Sequence, residues 1–216
     1  MSDSDIEYRI LEAQDFTTTM EFILENFATK EPTTFHLNIQ RGTFEEYFSP
    51  LIKTAISYGV SIGVYKKSSG EMCAVRINLL GGMEKPILPP FENQPLEMKQ
   101  LLVFLKSIHK KELCEEFGSD HYLELFLTAV RQDFTNRGIA THLYKRTEEL
   151  AKKNSCLYLS VICTSAFTIM ATTKLGYKQR GNVSYHEYID PLTGNKIFEK
   201  IQEPHKICAW MVKDID

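Results

Sequence analysis

Residues 123–150 constrain this chain more than any other stretch. In Leu123-Glu124-Leu125-Phe126-Leu127-Thr128-Ala129-Val130 the odd positions are apolar and the even ones mixed. A period of two with no Pro or Gly predicts a strand. Over 138–150, Ile139, Leu143, Thr147 and Leu150 recur at helical spacing while Lys145, Arg146, Glu148 and Glu149 take the other side, which predicts an amphipathic helix. Between them runs Arg131-Gln132-Asp133-Phe134-Thr135-Asn136-Arg137, a polar connector leading straight into Gly138. A strand feeding a helix in this way leaves backbone N–H groups unpaired at the helix N-terminus, where the dipole favours an anion such as phosphate. Many such units hold only water or a cap there, so the pattern alone leaves the guest open. Two guests are excluded. No Gly-x-x-x-x-Gly-Lys-Ser/Thr occurs, and a single glycine cannot make the Gly-x-Gly-x-x-Gly dinucleotide turn.

The rest of the composition narrows the class. A chain of 216 residues, 43% hydrophobic and 25% charged, suits one globular domain, expected over 7–216 behind a disordered N-terminus at 1–6. A net charge of −3 and a pI near 6.1 argue against a nucleic-acid or anionic-membrane surface. The acidic start Met1-Ser2-Asp3-Ser4-Asp5 lacks the features of a signal peptide, and no apolar run is long enough to span a bilayer. Five scattered cysteines, an odd number, read as reduced thiols in a cytoplasmic protein, and Cys163 as a packing thiol rather than a nucleophile. The glycosylation pattern Asn182-Val183-Ser184 is then idle. The six histidines form no metal-ligand spacing and no Cys-x-x-Cys occurs, so no metal is expected.

Taken in order, 7–11 reads as a strand and Asp15 as the cap of a helix burying Phe16, Met20, Ile23, Leu24 and Phe27. Pro32 ends that helix by residue 30 and makes 30–35 a loop with Glu31 extended. Thr43 and Glu46 form a capping box for a helix over 43–58, closed by Gly59. Strands at 60–65 and 72–80 make a hairpin, 83–98 with four prolines is loop, and 96–117 is one helix. The apolar run 157–163 reads as a strand buried on both faces and parallel to a neighbour. A helix over 165–174 is closed by Gly176, and strands follow at 185–189 and 207–213. The order implies one mixed α/β sheet with helices on both faces.

The run from Leu127 to Leu143 resembles the acetyl-CoA motif of the GNAT superfamily of N-acetyltransferases, in which a strand ending in Val leads into Arg/Gln-x-x-Gly-x-Gly/Ala. Here those six positions are Thr135, Asn136, Arg137, Gly138, Ile139 and Ala140. Lys174-Leu175-Gly176-Tyr177 is similar to the second signature, a helix closing on Leu-Gly-Phe. The resemblance narrows to the insect-type arylalkylamine N-acetyltransferases. Glu31-Pro32 resembles their Asp-Glu-Pro-Leu segment, and the run Cys163-Thr164-Ser165-Ala166-Phe167-Thr168 their Cys-Ser-Ser-x-Tyr-Ser segment. Pro204-His205 and the strand ending Trp210-Met211-Val212-Lys213 resemble their C-terminal strand.

The resemblance implies an α/β GNAT-like fold with a mostly antiparallel central sheet, a splayed parallel strand pair and helices on both faces. It implies transfer of acetyl from acetyl-CoA to the primary amine of a small molecule, an arylalkylamine of dopamine, serotonin, octopamine or tyramine type, or a polyamine in some relatives. A rival of another kind is a CoA-binding module without efficient catalysis. Glu31 matches the general base, Thr164 and Thr168 replace two serine hydroxyls one helical turn apart, and Glu124 is the alternative base because it shares a strand face with Phe126. Thr128, Ala129 and Val130 would lie along the thioester, with the N–H near Ala129 as oxyanion donor. Amides of Thr135, Asn136, Arg137, Gly138, Ile139, Ala140 and Thr141 would hold the pyrophosphate, and Ser165 would stand near the pantetheine arm. Thr135 departs from the family's Arg or Gln, Asn136 from a Gly, and Thr172 from a Tyr that serves many members as general acid. The partners implied are a small amine and neither nucleic acid nor membrane; oligomeric state is left open.

Overall fold

The computed structural model describes residues 5–109 and 111–215. Among them seven strands form one sheet in the order β1-β2-β3-β4-β5-β7-β6: β1 (Ile6–Ile10), β2 (Ile62–Lys66), β3 (Met72–Leu80), β4 (Tyr122–Val130), β5 (Tyr158–Cys163), β6 (Lys178–Ser184) and β7 (Ile207–Asp214). All neighbours pair antiparallel except β4 and β5. The sequence expectation of a mixed sheet with one parallel pair is met. The first four residues of the expected disordered segment lie outside the described residues, and Ile6 is already in β1.

The parallel pair holds for only three partners, Tyr122↔Tyr158, Leu123↔Leu159 and Glu124↔Ser160. Beyond Glu124, residues 125–130 of β4 and 161–163 of β5 diverge into an open wedge. A bulge explains the timing: β3 pairs Ile77 with Leu127 and Asn78 with Leu125, leaving Phe126 as an extra residue on β4. An extra residue bends and twists its strand. It also switches the faces of β4. Leu123 and Leu125 pack with Tyr144 and Ala151, whereas Leu127 and Ala129 join the core on the opposite face with Ile77, Ile23 and Ile52.

Helices α1 (Phe16–Ile23), α3 (Arg41–Ser57) and α4 (Leu96–Ile108) supply that opposite core. Helices α6 (Ile139–Lys153) and α7 (Ala166–Lys174) cover the first. The amphipathic reading of 138–150 holds, with Ile139, Leu143 and Thr147 buried.

Several expectations are corrected. The segment 30–35 is loop only at 30–31, where Glu31 is extended as expected; Pro32 opens helix α2 (Pro32–His36) at its first position, where φ near −65° suits a helix and the missing N–H is not needed. The next helix starts at Arg41 with Gln40 as N-cap, without the Thr43–Glu46 box. Asp15 stands at the N-cap of α1 as expected, but its carboxylate does not bond the first turn of α1; it accepts from Arg9 at 2.7 Å and, in a capping box with Glu12, from Glu12 N at 2.9 Å. The helix 96–117 breaks at His109, which is extended and sets its ring 4.7 Å from Trp210, and resumes as α5 (Leu113–Phe117). The expected strand 185–189 is turn in its first half, because the edge strand is the preceding polar segment β6, paired to β7. Tyr185 is fully buried and its amide still donates to Lys206 O at 3.0 Å, one step beyond the β6–β7 ladder.

Candidate active site

The loop from β4 to α6 is built to present amides. Phe134 is buried against Ile139 and Leu143, and the Arg131 and Arg137 guanidinium groups lie 4.8 Å and 4.6 Å over its ring. Arg131 is further tied to Asp133 at 2.7 Å, which holds the Asp133 carboxyl below its ordinary range. Asn136 and Gly138 take φ values of 61° and 75°, the left-handed region, which turns the chain sharply into the helix. His142 N donates to Gly138 O at 3.0 Å, the first intrahelical bond, and no side chain caps the end. The amides of Ile139, Ala140 and Thr141 therefore precede the first turn's bonds and face out of an exposed helix terminus. Thr135 turns its hydroxyl back to Gln132 O at 2.8 Å and its amide donates to the same oxygen at 3.3 Å, so the expected amide donor at 135 is already used and the free run starts at Asn136. A pyrophosphate fits this cradle by its backbone donors.

The wedge lies beside the cradle. Arg131 N donates to Cys73 O on β3 at 2.9 Å. Amide directions alternate along a strand, so Ala129 N–H also points to β3, and the amides of Thr128 and Val130 face the wedge. Of the amides near Ala129, those open to a ligand in the wedge are the ones on its two neighbours.

Glu31 is the N-cap of α2 and only 8% exposed. Its Oε2 accepts from Thr33 N (3.0 Å), Thr33 Oγ1 (2.6 Å) and Thr34 N (2.8 Å), while Oε1 is buried with no partner among the described residues. Tyr185, fully buried, donates its hydroxyl to Thr164 O at 2.7 Å. Burial pushes the Tyr185 hydroxyl and the Cys208 thiol up, and Glu31 adds to both, which places the carboxylate within electrostatic reach of them. Thr164 stands outside α7, so it shares no helical face with Thr168. Ser165 is the cap, accepting from Thr168 N at 3.1 Å and meeting Thr168 Oγ1 at 2.9 Å. His205 Nδ1 accepts from Ala166 N at 3.1 Å, anchoring the start of α7.

Glu124 occupies the last paired position before the wedge. It accepts no hydrogen bond from the described residues, and burial, aided by the Glu112 charge, pushes its carboxyl up to about 7. Its β5 partner Ser160 accepts from Trp210 Nε1 at 2.8 Å. Cys163 is fully buried, and burial pushes its thiol up to about 12, against weaker opposing effects of Thr172 and Arg76. Among the described residues no cluster suited to a metal ion occurs. Sequence reasoning missed Tyr185, the cap made by His205 and the buried Arg76. Only the aromatic density near 185 signalled the first.

Comparison with known proteins agrees with this geometry. Residues 106–177, which span β4, the cradle, α6, β5 and α7, match the model of the Acetyltransferase (GNAT) family. The structure is similar to that of arylalkylamine N-acetyltransferase 2 from Aedes aegypti, at 22% identity and a TM-score of 0.84, covering 98% of this chain and 100% of that one. It is similar to polyamine N-acetyltransferase from Drosophila melanogaster, an enzyme forming N-acetylagmatine, at 15% identity and TM-score 0.73 over 97% and 100% of the two chains. It is also similar to the C-terminal condensation domain of Ebony in complex with β-alanyl-dopamine, at 14% identity and TM-score 0.74 over 97% and 99%. At these identities the likeness is one of fold.

Proposed function

We propose that this protein, whose fold is that of the GNAT N-acetyltransferases, moves acetyl from acetyl-CoA to the primary amine of a small molecule. The observation that carries the reading is the open N-terminus of α6 at the end of β4, beside a strand pair that parts after Glu124. Bound acetyl-CoA supplies the thioester. Amides of the 136–141 segment hold its pyrophosphate, and an amide of Thr128 or Val130 polarises its carbonyl. The acceptor is an arylalkylamine of dopamine, serotonin, octopamine or tyramine type, in keeping with Glu31-Pro32 and with the mosquito enzyme of similar fold. A polyamine is the alternative, in keeping with the Drosophila enzyme.

The two carboxylates divide the work. An amine arriving as ammonium must lose a proton before it can attack. Glu31, with Oε2 occupied by α2, offers Oε1 to the ammonium. Glu124, near neutrality and free of donors, takes the proton through water, because a base works best when its pKa matches the working pH. Thr164 and Thr168 line the acceptor's path, and Ser165 orders the turn between them. The five cysteines are free, and among the described residues no helix is long and apolar enough to cross a membrane; the proposed place of work is the cytoplasm.

The test is acetyl-CoA-dependent thiol release by the purified full chain across a panel of arylalkylamines, polyamines and agmatine. Turnover with a phenethylamine or indolethylamine is expected. CoA binding without turnover on any amine would overturn the enzyme reading in favour of a binding module, the outcome to which Thr135 and Thr172 point.

A further inference from the structure

Arg76 heads the fully buried side chains by volume and is 1% exposed. It pairs across β3 and β4 with Thr128, one of the two residues whose amide faces the wedge. The two belong to a non-hydrogen-bonded pair, in which side chains lie closest. The guanidinium lies 4.2 Å over the Tyr144 ring of α6, on the α6 and α7 side of the sheet. Its Nε and Nη2 are buried without a hydrogen-bond partner, and no carboxylate pairs with it among the described residues. Glu148 of α6 is instead held by Lys213 at 2.6 Å.

Such an arrangement is costly to the fold. Arginine keeps its charge in protein interiors, and a buried cation without a counter-ion or full hydrogen bonding destabilises the state that buries it. The charge reaches across the wedge. Burial pushes up the Cys163 thiol at the end of β5 and the Tyr144 and Tyr177 hydroxyls, and Arg76 draws all three back down. Tyr177 Oη is itself buried and unpartnered. An incompletely hydrogen-bonded cation, held by Tyr144, and an unpartnered hydroxyl thus sit on the α6 and α7 side of the sheet where the parallel strands part.

The proposed acetyl transfer, on which this inference rests, creates one charge with no partner assigned. When the amine nitrogen attacks, its bond to the acetyl carbon forms and the carbon–sulfur bond breaks. Sulfur leaves with the electron pair as a thiolate and then takes up, from water, the proton the amine gave away. Thr172 donates its hydroxyl to Thr168 O at 2.9 Å and Ile169 O at 3.0 Å, so it offers no acid. We propose that Arg76 is a positioning residue whose fixed positive charge, set under the wedge, stabilises the negative charge on the departing CoA sulfur.

Full-length wild type, Arg76→Met and Arg76→Lys test this with free CoA. The ionisation of the bound thiol is followed by thiolate ultraviolet absorbance, with desulfo-CoA complexes as blanks for the protein's own thiols and tyrosines. In wild type the bound thiol should ionise about one pH unit below that of free CoA. Arg76→Met should abolish the shift and Arg76→Lys should keep most of it. Unliganded Arg76→Met should melt no lower than wild type, since a hydrophobe replaces an unpaired charge. Acetyl transfer by it should fall about tenfold in kcat with the amine KM unchanged. An unshifted thiol in wild type, or the same shift in Arg76→Met, overturns the proposal. So does a rate loss that tracks a lower melting temperature and is not rescued by lysine. If no amine is acetylated, the enzyme reading fails while the thiol titration still decides the role of Arg76; if CoA does not bind, both fall.

Discussion

At the α6 end of the wedge the groups proposed to bind the cofactor are backbone amides from one unbroken run, 136–141, on an exposed loop pinned by Phe134. Across the sheet the groups are side chains drawn from far apart: Glu31 from the cap of α2, Glu124 from the paired end of β4, Tyr185 and His205 from either end of the connection between β6 and β7. The first region depends on local chain geometry, so side-chain changes such as Thr135 and Asn136 leave its donors in place. The second depends on burial, and each carboxylate owes its character to neighbours supplied by other elements. A binding cradle is therefore robust to sequence drift in a way that an acid–base pair is not.

The sharpest way to break the contrast is Glu124→Gln. It should lower kcat by about 10²-fold or more at pH 8 and erase the rise in wild-type rate through about pH 7, with CoA affinity unchanged. The same variant reports on stability. A carboxyl raised in the folded state binds more protons there than when unfolded, so wild type loses stability as pH rises from its ordinary range to about 7. Glu124→Gln should thus melt higher than wild type above pH 7, the gap closing below pH 4.5. A pH-independent gap would mean that Glu124 is not desolvated in the fold.

Next in size, Gly138→Pro sets φ near −65° where the chain needs 75° and removes an amide. CoA affinity measured by calorimetry should fall about tenfold or more. Affinity equal to wild type would mean that the pyrophosphate lies elsewhere. Glu31→Ala removes the cap of α2 and should cost about 1 kcal/mol in denaturant unfolding. It should also raise the amine KM while CoA affinity holds; a parallel loss of CoA binding would dissolve the separation of the two regions. The smallest effect belongs to Ser165→Ala, which loses the α7 cap and should cost about 1 kcal/mol with kcat unchanged. A large drop in kcat would give Ser165 a chemical role beside its structural one.

Legibility followed the same division. The β4 alternation, the α6 stripe and the apolar run of β5 were readable because each is a periodic pattern imposed by one buried face. Edge strand β6, Lys-Gln-Arg-Gly-Asn-Val-Ser, was not, because an exposed edge needs no alternation and only its ladder to β7 makes it a strand. The break at His109 was hidden for a related reason: no Pro or Gly marks it, and a contact with Trp210 from the far end of the chain accompanies it. Pro32 misled in a third way, since the residue that ends one helix also starts the next.

By itself the sequence determined the strand–loop–helix around Gly138, the resemblance it carries and the class of sheet, because short-range periodicity and glycine conformation are written residue by residue. The tertiary structure alone decided that β4 and β5 part after Glu124, that Ala129 turns its amide away while Thr128 and Val130 face the gap, and that Arg76 lies buried beneath it. These facts depend on a bulge, on strand register and on desolvation. All three are set by which distant segments pack together, and no local pattern encodes them.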